Sequence, residues 1–145
     1  MKYSRRRDAP PETGPLMLSL LEVAHGLESR LEAELKAIGL SRTLFETLDQ
    51  LASSEESLPM CELAEGQRCA ASNITQKMDR LEREGLVRRV DDPADRRIVL
   101  AEITDLGRER AREGQQAVLR IQQEFETQLS NTERRSLRRL LGTIR

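Results

Sequence analysis

The sequence predicts a mainly α-helical fold carrying one small β-hairpin, an α+β arrangement. Apolar residues recur at steps of three and four over most of the 145-residue chain, and only the stretch from Leu86 to Ile103 turns β-prone. The third observation is the near absence of aromatic residues: two Phe, one Tyr and no Trp leave small aliphatic side chains and helix packing to build the core.

Taken in order, residues 1–15 combine Lys2, Arg5, Arg6 and Arg7 with three prolines and a glycine, a composition expected to form a flexible basic arm. From Leu16 to about Ala37, Leu20, Val23, Leu27, Leu31, Leu35 and Ile38 fall at helical spacing, and Gly39 closes that amphipathic helix. Ser41 is placed to cap a second helix with Leu44, Phe45, Leu48 and Leu51 on one face. A short third helix, with Leu63 and Ala64, follows Pro59. In the fourth, Ile74, Met78 and Leu81 step along one stripe while Ser72, Asn73, Thr75, Gln76, Lys77 and Arg80 point elsewhere, and Gly85 stands where a left-handed cap belongs. The runs "LVRRV" and "RIVLAEI" flank the turn residues "DDPAD" and predict a hairpin with a broad tip. Thr104 can cap a long helix to about Leu129, with Leu106, Ala111, Val118, Ile121, Phe125 and Leu129 as its seam. Ser130 and Glu133 form a capping box for a last helix bearing Leu137, Leu140, Leu141 and Ile144.

Two short helices joined by a turn, the second polar outside and followed by a hairpin, describe a winged helix-turn-helix over residues 41–103. An α-helix fits the major groove of DNA, where short amide and hydroxyl side chains reach base edges. Ser72, Asn73, Thr75 and Gln76 occupy the start of the fourth helix: Asn and Gln can pair bidentately with adenine, and Lys77 and Arg80 can meet guanine or phosphate. At the hairpin tip, Arg96 and Arg97 suit a narrow minor groove. Each piece alone has a plainer reading, a solvated helix face or an acidic-basic loop in which Asp95 pairs with an arginine. The ordered combination carries the expectation of double-stranded DNA as partner.

Charge bounds that expectation. The net charge of -1 gives no global positive field, so DNA contacts must be local. Arg88, Arg89, Arg96, Arg97 and the arm's arginines can supply them, and the alternative is a winged-helix module for protein contacts. With a single His, no glycine-rich phosphate loop, no nucleophile elbow and no ligand-spaced cluster, catalysis, a metal site and a cofactor are not expected. No apolar run approaches the roughly 18 to 20 residues of a membrane span. The start "MKYSRRR" leads into "DAPPETGP" rather than an apolar signal core, so a cytoplasmic protein is expected.

The order "LAEGQRCAASNITQKMDRLEREGLVRRVDDPADRRIVLAEIT" resembles the MarR family of bacterial transcriptional regulators. The matching residues are Leu63, Ala64 and Glu65; Leu81, Glu82, Gly85, Leu86, Val87 and Arg89; and Asp95, Arg97 and Thr104. The resemblance extends over nearly the whole chain, 16–145 as one domain. It implies a homodimer interlocked through residues 16–38 and 104–145, seated on a palindromic DNA site, and repression relieved by a small molecule or an oxidant. By position it implies base reading by Ser72, Asn73, Thr75, Gln76 and Lys77, a minor-groove role for Arg97 with Arg96 second, and wing orientation by Asp95. The sequence supports the dimer separately: a helix of about 25 residues is about 37 Å long, and invites a partner chain.

Departures from the family pattern are Gln67 for an apolar residue, Arg68 for a turn glycine, Cys69 for a small aliphatic and Ala70 for a capping Ser or Thr. A less regular turn, with Ser72 as a later cap, is the consequence. Cys61 and Cys69 are redox candidates, Cys69 the better one beside Arg68, although a free cysteine in a helix-turn-helix is usually a small buried apolar residue. His25 lies on the first helix, which borders a cavity in that family, and a surface or core role is the commoner one for such a residue.

Overall fold

The structure, a computed structural model, describes residues 15–67 and 71–144. The expected basic arm, Arg68, Cys69 and Ala70 lie outside them, apart from Pro15. Among the described residues the order is α1 (Leu16–Ala37), α2 (Arg42–Ala52), β1 (Leu58–Pro59), α3 (Met60–Gly66), α4 (Ala71–Arg83), β2 (Val87–Asp91), β3 (Val99–Ile103), α5 (Asp105–Thr127) and α6 (Asn131–Thr143).

Helix ends follow their local chemistry. Past α1, the Leu40 amide donates to the Leu35 carbonyl at 2.9 Å and the Gly39 amide to the Lys36 carbonyl at 3.0 Å. This pair of bonds needs a residue at positive φ, and Gly39 sits at 77°. The same pattern ends α4, with Leu86 donating to Leu81, Gly85 to Glu82, and Gly85 at φ 72°. Ser41 caps α2 by accepting from the Leu44 amide at 3.3 Å. Ser130 and Glu133 complete the capping box of α6. Thr104 caps α5 by accepting from Gly107, and its hydroxyl donates to the Gly85 carbonyl at 2.7 Å, joining the end of β3 to the turn after α4.

The core lies where α2, α4 and the sheet meet the first half of α5. Leu44, Phe45, Leu48 and Leu51 of α2 pack with Leu63, Ile74, Met78, Leu81, Val87 and Ala111, joined by Leu35 from the end of α1. The hairpin pairs β2 with β3 in antiparallel register, Val87 opposite Ile103 and Asp91 opposite Val99.

Several expectations are corrected. The sheet has a third strand, β1, pairing Leu58 with Ala101 and Pro59 with Leu100. Leu106 is exposed rather than part of the seam of α5, and Leu20 and Val23 of α1 are exposed as well. Leu140 and Leu141 of α6 and Ile144 at its C-cap are exposed too, and α6 buries no residue in the monomer. Cys61, expected to be buried, is exposed in the first turn of α3. Ser72 is the second residue of α4, inside the helix, and so is not its cap.

Candidate nucleic-acid interface

α4 is fixed by its apolar stripe: Ile74, Met78 and Leu81 are essentially fully buried, which turns Ser72, Asn73, Thr75 and Gln76 to the exposed surface. No acidic side chain lies in the first turn of α4 to offset the positive end of the helix dipole. Arg80 is exposed and bonds Glu84 one turn on, at 3.2 Å. Lys77 behaves differently from its neighbours: it is half-buried, and its ammonium donates to Gln67 Oε1 at 2.5 Å.

The wing tip is organised by two aspartates. The Ala94 amide donates to Asp92 Oδ1 at 2.7 Å, and the Arg97 amide to Asp95 Oδ1 at 3.0 Å. The Ile98 amide donates to the Asp95 carbonyl at 2.9 Å, and the Asp92 amide to the Ile98 carbonyl at 3.0 Å. Asp95 thus fixes the turn by short side-chain to backbone bonds. It leaves the Arg97 side chain 94% exposed, with only a long 4.0 Å approach to the Asp95 carboxylate. Arg96 is exposed beside it.

Two arginines counted as phosphate candidates are committed within the fold. Arg89 reaches from β2 to α4, donating to Asp79 Oδ1 and Glu82 Oε2 at 2.6 Å each and to the Thr75 carbonyl at 3.3 Å. Partial burial lowers its pKa, but the hydrogen bonds to Asp79 and Glu82 outweigh that and hold it above the ordinary arginine value. Arg88 bonds both oxygens of Glu102 across the hairpin, at 2.9 and 3.0 Å, which lowers the Glu102 pKa. Periodicity marks both as polar positions and has no access to these partners, which come from other elements.

Helix and wing meet at one surface. Thr75 of α4, Arg97 of the wing, Arg89 of β2 and Cys61 of α3 line an open groove of about 460 Å³. A second, largely apolar cavity of about 230 Å³ lies between α1, α2 and α5, lined by Leu27, Leu31, Val118, Ile121 and Phe125. Glu28 and Arg42 also line it, bonded to each other at 2.8 Å; with Glu46 also bonded, the Arg42 pKa is held up, chiefly by Glu28. His25 does not line this cavity and is exposed on α1. Among the described residues no group of three or more His, Cys, Asp or Glu could hold a metal ion. Among them, too, no helix is long and apolar enough to cross a membrane.

The family model "MarR family" matches residues 40–99, which run from the turn after α1 to the start of β3. A curated relative, "Uncharacterized HTH-type transcriptional regulator YdgJ" of Bacillus subtilis (strain 168), is 31% identical over 107 residues, 74% of this chain. The match spans 65% of that relative's length. Among solved structures, AbsC, a MarR family transcriptional regulator from Streptomyces coelicolor, is 29% identical with a TM-score of 0.75, over 88% of each chain. The reduced form of MarR from E. coli is 26% identical with a TM-score of 0.76, over 92% of this chain and 98% of that one. The sequence match and the shared overall fold agree, and the chain belongs to the MarR family of winged helix-turn-helix transcriptional regulators.

Proposed function

We propose that the protein is a sequence-specific DNA-binding repressor that acts as a homodimer in the cytoplasm on a pseudo-palindromic site. The observation that carries this reading is the shared groove of Thr75 and Arg97, which lets one duplex engage the polar face of α4 and the wing tip together. Asn73 and Gln76 would read base edges, flanked by Ser72 and Thr75, with Arg80 near phosphate. Arg97, and Arg96 after it, would enter the minor groove from a tip held in shape by Asp95. The sequence puts an arginine-rich arm, 1–15, at hand for further phosphate contacts.

The dimer is supported by the apolar residues left exposed at both ends of the fold: Leu16, Met17, Leu20 and Val23 on α1, and Leu140 and Leu141 on α6 with Ile144 at its C-cap. A monomer rarely leaves so many large apolar side chains at two termini uncovered. In this reading 16–38 and 104–145 form the dimer and 41–103 the winged domain. The cavity between α1, α2 and α5 joins these two parts and would take a small apolar inducer. An oxidant acting at Cys61, which lines the groove, is the other form of relief, and diamide treatment tests it. Cys69, the better candidate by sequence, is the other thiol in that reading.

One observation favours a second reading, a protein-contact module: the Arg88 and Arg89 charges are already neutralised by Glu102, Asp79 and Glu82. Selection of bound duplexes from a random library, followed by salt titration, separates the two. A pseudo-palindrome with half-sites about one helical turn apart supports the repressor. Weak, unselective binding supports the module.

A further inference from the structure

We propose that Gln67 and Lys77 form a clamp that sets the orientation of α4, making Lys77 a positioning residue and not a DNA contact. The inference rests on the DNA-reading function proposed above and assigns one part of its machinery. Gln67 ends α3, and its side chain sits at the centre of a hydrogen-bonded chain across three helices. The Thr47 hydroxyl, fully buried on α2, donates to the Thr43 carbonyl at 3.1 Å. Gln67 Nε2 donates to Thr47 Oγ1 at 2.8 Å and to Gln50 Oε1 at 3.3 Å. Gln67 Oε1 accepts the Lys77 ammonium at 2.5 Å. In this assignment both amide protons of Gln67 and its carbonyl are used.

Arg89 of β2 also holds α4, through the Thr75 carbonyl, Asp79 and Glu82, and the buried stripe holds it by apolar packing. Ile74 and Met78 bury well, but such contacts are not directional and permit a helix to roll slightly about its axis. Hydrogen bonds are directional, and Lys77 lies next to Gln76 on the chain. Ala70, just before α4, has no side-chain oxygen with which to tie the helix start to the turn. The Gln67 clamp is therefore the polar tie from α2 and α3 to α4, placed to fix the direction of Asn73 and Gln76 together with the Arg89 tie from β2. It also gives the Gln67 departure a role, since an apolar residue at 67 would remove the Oε1 acceptor of the Lys77 ammonium.

The test uses Gln67→Met and Lys77→Met, singly and together, in the full chain. Thr47 keeps its Thr43 acceptor in each, so its buried hydroxyl proton stays paired, and thermal unfolding of each variant checks that the fold is retained. In the free protein, amide hydrogen exchange over residues 72–76 is expected to quicken in all three variants. On the selected duplex, each single variant should lose about tenfold in affinity, and the double variant should lose about the same, because one device is removed once. The dependence of Lys77→Met binding on salt should match that of the unaltered protein. A fall in the logarithmic salt slope of about 0.9 for Lys77→Met, with Gln67→Met binding normally, would make Lys77 a phosphate contact and overturn the clamp. Unchanged exchange in both single variants overturns it as well. If the unaltered protein selects no duplex, the DNA reading fails, and the exchange experiment still decides the clamp by itself.

Discussion

Replacing Arg89 and Arg97 in parallel separates a structural arginine from a DNA-facing one. In Arg89→Met, the side chain, 25% exposed, loses its bonds to Asp79, Glu82 and the Thr75 carbonyl, all of which tie β2 to α4. The two carboxylates are 53% and 41% exposed, so water replaces much of what they lose. Exposed ion pairs contribute about 0.2 to 1 kcal/mol each, and hydrogen bonds to charged groups somewhat more. A total of about 1 to 2 kcal/mol follows, or about 2 to 8 °C in Tm for a chain of this size. Arg97→Met removes a side chain that is 94% exposed and should leave Tm within about 1 °C. The DNA readout should reverse the order: the salt slope falls by about 0.9 for Arg97→Met and stays constant for Arg89→Met. Calorimetry at one fixed protein concentration, since a dimer's Tm depends on it, and duplex titrations in several salts provide both numbers. An Arg89→Met protein with unchanged Tm and a lower salt slope would refute the division of roles.

Other consequences follow from particular contacts. A Cβ at Gly107 would overlap the Leu86 carbonyl oxygen, which is held by the Thr104 amide at 3.0 Å, so Gly107→Ala should cost about 1 to 3 kcal/mol. Gly142 on α6 meets nothing, and Gly142→Ala in the same melting assay should be neutral or slightly stabilising. Hydrogen bonds lower the pKa of Glu102, through Arg88, and of Glu133, through Ser130. Carboxylates whose pKa is depressed by folding add stability above their unfolded value, near about 4.3, and lose it as the pH falls through the lowered one. Tm should therefore decline with acidification below about pH 4.5, less so in Glu133→Gln; a rise in that window would contradict the assignment. Leu141→Glu places a charge in the exposed stripe of α6 and should turn a dimer into a monomer in sedimentation, whereas an unchanged dimer would move the interface elsewhere.

Much of this architecture was legible because the relevant signals are local. Ser41, Thr104 and the Ser130–Glu133 pair cap helices through residues three positions away, and Gly39 and Gly85 terminate them through a backbone angle that glycine adopts freely. The stripe of Ile74, Met78 and Leu81 located the polar face of α4 by subtraction. Strand β1 escaped notice because two residues, one of them proline, carry no periodicity. The exposure of Leu140, Leu141 and Ile144 has another cause: spacing identifies a face and is silent on what covers it. The partners of Arg89 and Lys77 and the exposure of Cys61 went unseen because their surroundings come from other elements: Asp79 and Glu82 across from β2, Gln67 from the end of α3, and the open groove beside the wing.

The most direct test of the central claim is the affinity of Asn73→Ala and Gln76→Ala for a selected duplex and for a scrambled duplex of equal length, at one salt concentration. The account predicts losses on the selected duplex of about 1 to 3 kcal/mol for each variant, with affinity for the scrambled duplex unchanged. Equal losses on both duplexes would contradict it, because α4 would then contribute to binding without reading bases.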